Sequence, residues 1–389
     1  MNALAEIIRS EAARAGAIPF ACFMELALYH PIHGYYERTA PTVGRQGDFF
    51  TSVSVGSLFG ELLAFQFAEW LAELGTRNAQ RGQADAPLQI VEAGAHDGRL
   101  AADILGWLHA SRPELFAILD YRIVEPSPRR RARQEETLRA FAGRVRWFAQ
   151  LSELAVAPPS PGINGVLFAN ELLDAFPVHR FGWDGAARRW FEWGVRCDND
   201  RFVWVRLPVP DEFPASSLGF RDSLAELETL NPELLAVLPD GFTTEIAPAA
   251  TAWWRQAAAS LRHGRLLTLD YGLTTEQFFT PSRAGGTLRA YHRHQAGADL
   301  LTQPGEQDLT AHVNFTALAA AGEAAGLRTE GRPSQAQFLT RIAEKTWPPD
   351  ARFGEWTPAR SRQFQTLTHP EHLGRPFQVL LQARERAKA

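Results

Sequence analysis

Strand and helix signals alternate along the chain after residue 87, and this alternation limits the folds that the chain can adopt. Short apolar runs typical of buried strands occur at five places, and stretches with helical periodicity separate most of them. The five strands are expected at Leu88–Ala93, Tyr121–Val124, Val145–Phe148, Gly165–Ala169 and Leu266–Asp270. The alternation predicts an α/β fold, with a parallel sheet and helices on both of its faces.

Other segments depart from this rhythm. Residues 1–86 read as a helical N-terminal extension that could cover a cofactor, with an amphipathic helix over 58–74 and a polar linker from residue 75. Aromatic and polar residues alternate over 178–210 around two turn signals, which predicts antiparallel hairpins, and 211–242 reads as a helical insertion. The predicted domain segments are 1–86 for the extension, 87–183 for the first part of the core, 184–242 for the inserted region and 243–389 for the second part of the core, which ends with a late antiparallel strand over 375–383.

The segment IVEAGAHDGRLAADIL, residues 90–105, has the order strand, glycine loop, helix. Gly94 and Gly98 suit a loop that must turn tightly and bring its backbone close to a ligand at a helix N-terminus. His96 stands where a middle glycine would be, and the glycine spacing of dinucleotide folds is absent. Glu92 comes just before the first glycine and suits a ligand with a cationic amino acid moiety, such as S-adenosylmethionine.

A second acid, Glu125, ends the next predicted strand in the sequence YRIVEPS. Its two carboxylate oxygens could accept hydrogen bonds from both hydroxyls of a ribose. A loop with two glycines can be a plain turn, and an acid that ends a strand can simply be solvated. The occurrence of both in the order strand, loop, helix, strand favours a cofactor site.

The composition excludes several classes of protein. Of 389 residues, 45% are hydrophobic and 22% are charged, and the net charge of −4 gives no reason to expect a nucleic-acid or anionic-membrane partner. Two cysteines are too few for a disulfide framework or a cysteine-based zinc site, so a cytoplasmic location is expected and a homodimer is left open. Only His292 and His294 have a spacing that suits a metal, and no metal is expected. His312 could instead line a substrate channel.

The chain resembles the MidA-like methyltransferases, whose mitochondrial members act as complex I assembly factors by methylating an arginine of a core subunit. The resemblance runs nearly from end to end and rests on YHPIHGYYE (29–37), GDFFTS (47–52), FGELLA (59–64), VEAGAHDGRL (91–100), IVEPSP (123–128), ANELLDAFPV (169–178), LTLDYG (267–272), GTLRAYHRH (286–294) and PGEQDLTAHVNF (304–315). It implies a seven-stranded Rossmann-like core of the class I methyltransferases with S-adenosyl-L-methionine as the cofactor. The chain departs from the family pattern at the middle of the first loop and at Ser54, where the family usually has an acid. We expect the loop to bind the cofactor with altered contacts.

The resemblance also implies where the chemistry takes place. Asn170 and Glu171 would face the methyl group, and Asp174 would lie one turn on if a helix starts there. The alternative is an ordinary helix N-terminus, where acids are favoured by the helix dipole. Gly47 and Asp48 could close over the cofactor, with a surface turn as the alternative.

The leading prediction is therefore a protein arginine N-methyltransferase that uses S-adenosylmethionine. The alternatives are a methyltransferase with a small-molecule acceptor and a catalytically silent binding or assembly module, since a fold does not fix the acceptor. A nicotinamide oxidoreductase is disfavoured because the dinucleotide glycine spacing is absent.

Overall fold

The computed structural model describes residues 2–38, 51–80, 87–156, 162–209, 232–292, 295–297 and 299–385. Two of the predicted cofactor residues, Gly47 and Asp48, lie outside the described residues. The chain forms two compact units. The sheet unit consists of Phe50–Leu172, Trp254–Tyr271 and Ala319–Ala389, and the hairpin unit consists of Met1–Phe49, Leu173–Trp253 and Gly272–Leu318. The domain boundaries expected near residues 86, 183 and 242 stay a prediction.

The regular elements are named here in chain order. The strands are β1 Ile18–Pro19, β2 Leu88–Ala93, β3 Leu119–Val124, β4 Val145–Phe148, β5 Ile163–Asn170, β6 His179–Asp184, β7 Arg189–Asp198, β8 Arg201–Leu207, β9 Thr243–Ile246, β10 Leu261–Leu273, β11 Arg289–His292, β12 Gln295–Gly297, β13 Asp308–Thr310, β14 Val313–Asn314, β15 Arg328–Gly331 and β16 Phe377–Arg384. The α-helices are α1 Ala3–Ala15, α2 Phe20–Tyr29, α3 Leu58–Gln80, α4 Arg99–Ser111, α5 Pro113–Ile118, α6 Pro128–Thr137, α7 Leu151–Leu154, α8 Pro232–Val237, α9 Pro248–Ser260, α10 Thr275–Phe278, α11 Phe315–Ala324, α12 Gln335–Lys345 and α13 Pro358–Thr368. Short 3-10 helices cover Tyr35–Glu37, Val53–Val55, Arg139–Phe141, Pro281–Arg283 and Pro349–Ala351.

Seven strands of the sheet unit form one sheet in the order β15-β16-β10-β5-β2-β3-β4. The neighbours from β10 to β4 pair in parallel, whereas β16 is antiparallel to both β10 and β15. The predicted Rossmann-like class I methyltransferase core, including its late antiparallel strand, is thereby confirmed. The chain leaves β2 toward β3 on one side and later returns to β5 on the other side, so the carboxyl end of β2 is the point where α/β sheets bind ligands.

The core of the sheet unit covers its central strands on both faces. Every residue of β2 is buried, as expected for a parallel strand that is covered on both faces. Helix α3 packs on the sheet through Phe67, whose ring centroid lies 5.0 Å from that of Phe168 in β5. Burial of such a side chain contributes about 1.5–3 kcal/mol. This helix continues through Gly75 to Gln80, so the polar linker predicted from residue 75 is wrong over its first six residues.

The hairpin unit contains a second sheet in the order β1-β7-β6-β9, and β8 also pairs with β7. The strands β6, β7 and β8 confirm the predicted antiparallel hairpins. The turn between β7 and β8 places Asn199 at φ 43° and Asp200 at φ 65°, the backbone that a two-residue hairpin turn requires. Helices α1 and α2 bury apolar side chains in the core of this unit, among them Ile8, Phe20 and Phe23.

A third sheet, β12-β11-β13, also belongs to the hairpin unit. Of the helical insertion predicted over 211–242, residues 210–231 lie outside the described residues, and α8 occupies part of the remainder. Among the described residues, no helix combines the length and the apolar character that crossing a membrane would require.

Candidate functional site

The loop between β2 and α4 has a left-handed backbone at three positions. Gly94 has φ 74°, His96 φ 47° and Gly98, which caps α4, φ 85°. The N–H groups of the two glycines already donate within the protein, to Val124 O at 3.4 Å and to Ala95 O at 2.7 Å. Both glycines therefore shape the loop through bonds to other parts of the protein. The value at His96 explains why a glycine suits that position in the family pattern.

The cofactor loop lies directly against the segment that follows β5. A Cβ atom added to Gly94 would lie 2.7 Å from Cδ1 of Leu172, which is closer than van der Waals contact allows. A larger residue would make the Leu172 side chain shift, so glycine leaves room for this approach, and the end of β5 borders the loop within the same unit. This close cradle at the switch point of the sheet fits a nucleotide-type cofactor such as S-adenosylmethionine.

Glu92 carries a buried carboxyl group under the loop. The residue is 2% exposed, and the hydroxyl of Tyr121 donates to its Oε2 at 2.6 Å. Burial raises the pKa of Glu92 to about 7; the hydrogen bond from Tyr121 opposes this rise, and the charge of Asp97 adds to it. A cation placed beside Glu92 would favour its ionised form. This arrangement suits the amino group expected from the sequence.

His96 and Asp97 form the outer part of the loop. The Nδ1 atom of His96 lies 3.7 Å from Oδ1 of Asp97, and both side chains are more than one third exposed. Burial acts to raise the pKa of Asp97, but the imidazole of His96 and the N–H group of Arg99 outweigh it and lower that pKa. His96 thus has a partner of its own within the loop.

Glu125 is held by protein donors at the end of β3. Its Oε1 accepts from the backbone N–H of Ser127 at 2.9 Å and from Nε and Nη2 of Arg130, each at 2.9 Å. Its Oε2 accepts from Nε2 of Gln134 at 3.0 Å. Three donors on one oxygen leave little capacity there, so a ribose hydroxyl would bind to Oε2. Of the two oxygens that are predicted to bind the ribose, Oε2 therefore keeps the greater capacity for further hydrogen bonds.

Gln134 joins the two predicted cofactor residues, and sequence reasoning missed it. Its Nε2 donates both to Glu125 and to the carbonyl oxygen of His96, at 3.1 Å, while Nε1 of Trp147 donates to its Oε1 at 3.0 Å. It belongs to the arginine-rich run PSPRRRARQ (126–134), which reads as a solvated helix face. The signal that could have revealed it is the i, i+4 spacing of Arg130 and Gln134, which places both on the face of α6 toward Glu125.

The chain after β5 does not start a helix. The N–H group of Glu171 donates to Leu269 O at 2.9 Å and extends the ladder between β5 and β10 by one residue. Glu171 then adopts φ 50°, which is incompatible with a right-handed helix. The predicted helix that would place Asp174 on the face of Glu171 is therefore wrong, and so is the alternative of a helix N-terminus. Asp174 belongs to the hairpin unit, where its carbonyl oxygen accepts from the N–H of Ala311 at 2.9 Å.

The carboxylate of Glu171 is oriented from two sides. Its Oε1 accepts from the backbone N–H of Ser52 at 3.3 Å and from Nδ2 of Asn170 at 3.1 Å. Because the amide nitrogen of Asn170 faces the carboxylate, its Oδ1 points the other way. That oxygen is buried and has no hydrogen-bond partner among the described residues. The end of β5 thus presents a negative carboxylate beside an unsatisfied acceptor.

The histidines considered in the sequence have other surroundings. Nδ1 of His292 lies 2.9 Å from Glu306 O, and His294 lies outside the described residues. No group of three or more metal-ligating side chains occurs in the part of the chain that the structure describes. His312 borders a cavity of about 40 Å³ in the hairpin unit, and burial, with Arg283 and Arg289 nearby, lowers its pKa to about 4.

Comparison with known proteins identifies this arrangement. The sequence model of a family described as S-adenosyl-L-methionine-dependent methyltransferases matches residues 62–332. The chain belongs to this family. A crystal structure from Burkholderia thailandensis with bound S-adenosyl-homocysteine has 34% sequence identity and a TM-score of 0.80, covering 100% of this chain and 93% of that one. The protein is a methyltransferase, and S-adenosylmethionine is its cofactor, as the sequence predicted.

The curated relatives name an acceptor and a compartment. The Drosophila melanogaster protein arginine methyltransferase NDUFAF7 homolog is 27% identical over 367 residues, which cover 88% of this chain and 75% of that relative. The mouse protein arginine methyltransferase NDUFAF7 is 28% identical over 354 residues, covering 84% and 71%. Both relatives are named as mitochondrial, so the expected cytoplasmic location is wrong. The composition does not determine the compartment, because two cysteines and a small net charge suit any reducing compartment.

Proposed function

We propose that this protein transfers a methyl group from S-adenosylmethionine to an arginine side chain of another protein. The observation that carries the proposal is the pair formed by the carboxylate of Glu171 and the unsatisfied Oδ1 of Asn170 at the end of β5. A buried acceptor without a donor costs about 1–3 kcal/mol. A guanidinium has five N–H donors and no acceptor, so it can satisfy the amide oxygen and pair with the carboxylate at once.

The charge of Glu171 also favours a guanidinium as the methyl acceptor. A guanidinium stays protonated at any workable pH, so a site that holds it next to a sulfonium must supply negative charge. Glu171 supplies that charge where the cofactor loop and β5 meet. A neutral hydroxyl or phenol acceptor would not need it.

The roles of the residues follow from these contacts. When bound, S-adenosylmethionine supplies the activated methyl group. Asn170 Oδ1 and the Glu171 carboxylate would orient the guanidinium so that one nitrogen faces that group, and the carboxylate would take up the proton that the methylated nitrogen loses. Orientation and electrostatics are the main contributions that such a transfer needs from the protein.

The contacts described above also suggest which residues bind each part of the cofactor. Glu92 would face the amino group, Glu125 Oε2 the ribose, and the backbone at Gly94 and Gly98 would form the cradle, with His96 at its border. From the family resemblance, Gly47 and Asp48 are proposed to close over the cofactor and Asp174 to contribute to the acceptor side. The relatives named as protein arginine methyltransferases support a protein partner.

The test is the Glu171→Gln variant, which keeps the shape of the side chain and removes its charge. We expect methyl transfer from labelled cofactor into the proteins of a lysate of the source organism to fall at least a hundredfold, in the range of lost charge-assisted contacts to a reacting group. Hydrolysis of the labelled protein should release methylarginine. Calorimetry should show near-normal affinity for S-adenosylmethionine, because Glu171 does not hold the cofactor.

A different result would reject the proposal. Label that appears only in the small-molecule fraction, together with an active Glu171→Gln variant, would reject arginine as the acceptor and favour a small neutral one.

A further inference from the structure

We infer that Gln335 is a positioning residue of the methyl-acceptor site, which acts on Glu171 through Ser52. The inference rests on the role proposed above for Glu171. Gln335 is the first residue of α12, far from β5 in the sequence, and it does not touch Glu171 itself. The connection consists of hydrogen bonds between side chains and backbone groups that all belong to the sheet unit.

Ser52 is the link between Glu171 and Gln335. Its backbone N–H donates to Oε1 of Glu171 at 3.3 Å, and its hydroxyl donates to Oε1 of Gln335 at 3.1 Å. Ser52 is 0% exposed, so water cannot replace either contact. Ser52 is therefore held between Glu171 and Gln335, by its backbone on one side and by its side chain on the other.

Gln335 is itself held rigidly. The residue is 0% exposed, and its Nε2 donates to the carbonyl oxygen of Leu367 in α13 at 3.0 Å. Ser334 caps α12 immediately before it, with a reciprocal bond from Gln337, which fixes the backbone on which Gln335 stands. Both polar ends of the Gln335 amide are thus used, one on each neighbour.

Further hydrogen bonds support the turn that carries Ser52. Ser54, the residue that departs from the family pattern, closes the turn by donating from its hydroxyl to Thr51 O at 2.7 Å and accepting from Thr51 N–H at 3.0 Å. Oε1 of Gln363 in α13 accepts from the N–H of Leu58 at 3.0 Å. Gln335 in α12 thus contacts the turn itself, and Gln363 in α13 contacts the start of α3, which follows the turn.

Glu171 needs such support because of its backbone. A non-glycine residue at φ 50° is held there by its surroundings, and the Ser52 N–H and the Asn170 amide both donate to its carboxylate. Removal of the Gln335 amide frees the Ser52 hydroxyl to rotate and lets the turn relax. The carboxylate then keeps its charge but loses its fixed direction.

The experiment compares Gln335→Ala with Gln337→Ala. Gln337 lies on the same helix, is exposed and closes the helix cap, so its loss weakens α12 without touching Ser52. At saturating cofactor, we expect Gln335→Ala to slow methyl transfer into lysate proteins about tenfold, the effect of one net hydrogen bond. The Kd for S-adenosylmethionine should stay within twofold. Gln337→Ala should lower the melting temperature and leave the rate unchanged.

A double-mutant cycle tests whether the effect passes through Ser52. Ser52→Ala removes the hydroxyl and keeps the backbone N–H. The double variant Ser52→Ala, Gln335→Ala should be no slower than the slower single variant, because both changes break the same link. Additive losses, or equal rates in Gln335→Ala and Gln337→Ala, would overturn the inference. Failure of the proposed function is a separate result, since it would show as an active Glu171→Gln variant.

Discussion

Glu92 holds its carboxyl group out of water directly under the cofactor loop. Its pKa of about 7 in the folded protein, against 4.5 for an ordinary glutamic acid, means that the folded state keeps this proton over a range in which the unfolded chain has lost it. The contribution of this group to stability is therefore fully present below about pH 4.5 and is lost as the pH rises through 7. Above that pH the fold carries the cost of a buried charge.

Glu92→Gln should consequently stabilise the cofactor-free protein at high pH. The amide cannot ionise, and its oxygen can still accept from Tyr121. The gain over the wild type should be small at pH 5 and should reach roughly 3 kcal/mol at pH 8, at about 1.4 kcal/mol for each unit of pKa. Urea unfolding at the two pH values measures this difference. A gain that is equal at both values would show that Glu92 ionises freely in the fold.

We propose that His96 borders the cofactor site and has no role as a base. A methyl transfer places no attacking nucleophile at the amino acid end of the cofactor, so a proton relay there has no use. His96→Gly should restore a family-like loop at φ 47° and leave turnover intact or improved. Arg188→Gly is the matched control, because Arg188 has φ 50° in a turn of the hairpin unit. Loss of turnover in His96→Gly with unchanged cofactor affinity would contradict this assignment.

At the scale of elements, the sequence predicts the strands and hairpins that depend on local residue patterns. Strands β2 and β4 occupy the residues expected from their apolar runs, and β16 starts two residues later than expected. The hairpins follow from turn residues that accept a left-handed backbone. The end of β5 was mispredicted because ANELLDAF has good helix formers, whereas a hydrogen bond from Glu171 to the neighbouring strand decides its conformation. Propensity gives way to such tertiary contacts.

The candidate site was predictable to the extent that its residues follow strands. Glu92, Glu125 and Asn170 end or nearly end parallel strands, which meet at one edge of a sheet. The supporting residues give no such signal. Ser52 and Gln335 are 283 positions apart, and nothing in the sequence of either segment points to the other. Gln134 follows a run of arginines that reads as a solvated helix face, so the sequence gives no sign that Gln134 is buried.

At the scale of the whole molecule, each compact unit gathers segments that are distant in the chain. The sheet unit joins Phe50–Leu172 with Trp254–Tyr271 and Ala319–Ala389, so its residues come together only when the sheet is complete. The loop after β2, the end of β3 and the end of β5 all belong to this unit. A ligand that binds these three places at once therefore binds the folded state and has no comparable site on the unfolded chain.

Cofactor binding should accordingly stabilise the whole protein, and Glu125 should account for a measurable part of that effect. At a concentration a thousand times its Kd, a ligand that binds only the folded state adds about 4 kcal/mol. Glu125→Ala removes one ribose contact on Oε2, worth about 1.5 kcal/mol if charge-assisted, so the stabilisation at the same concentration should fall to about 2.5 kcal/mol. Glu135→Ala, which removes an exposed acid from helix α6, just after Glu125 in the chain, should behave as the wild type. Thermal-shift titration measures all three proteins, and NADH should shift none of them because the dinucleotide glycine spacing is absent. A wild-type shift in Glu125→Ala would remove Glu125 from the cofactor site.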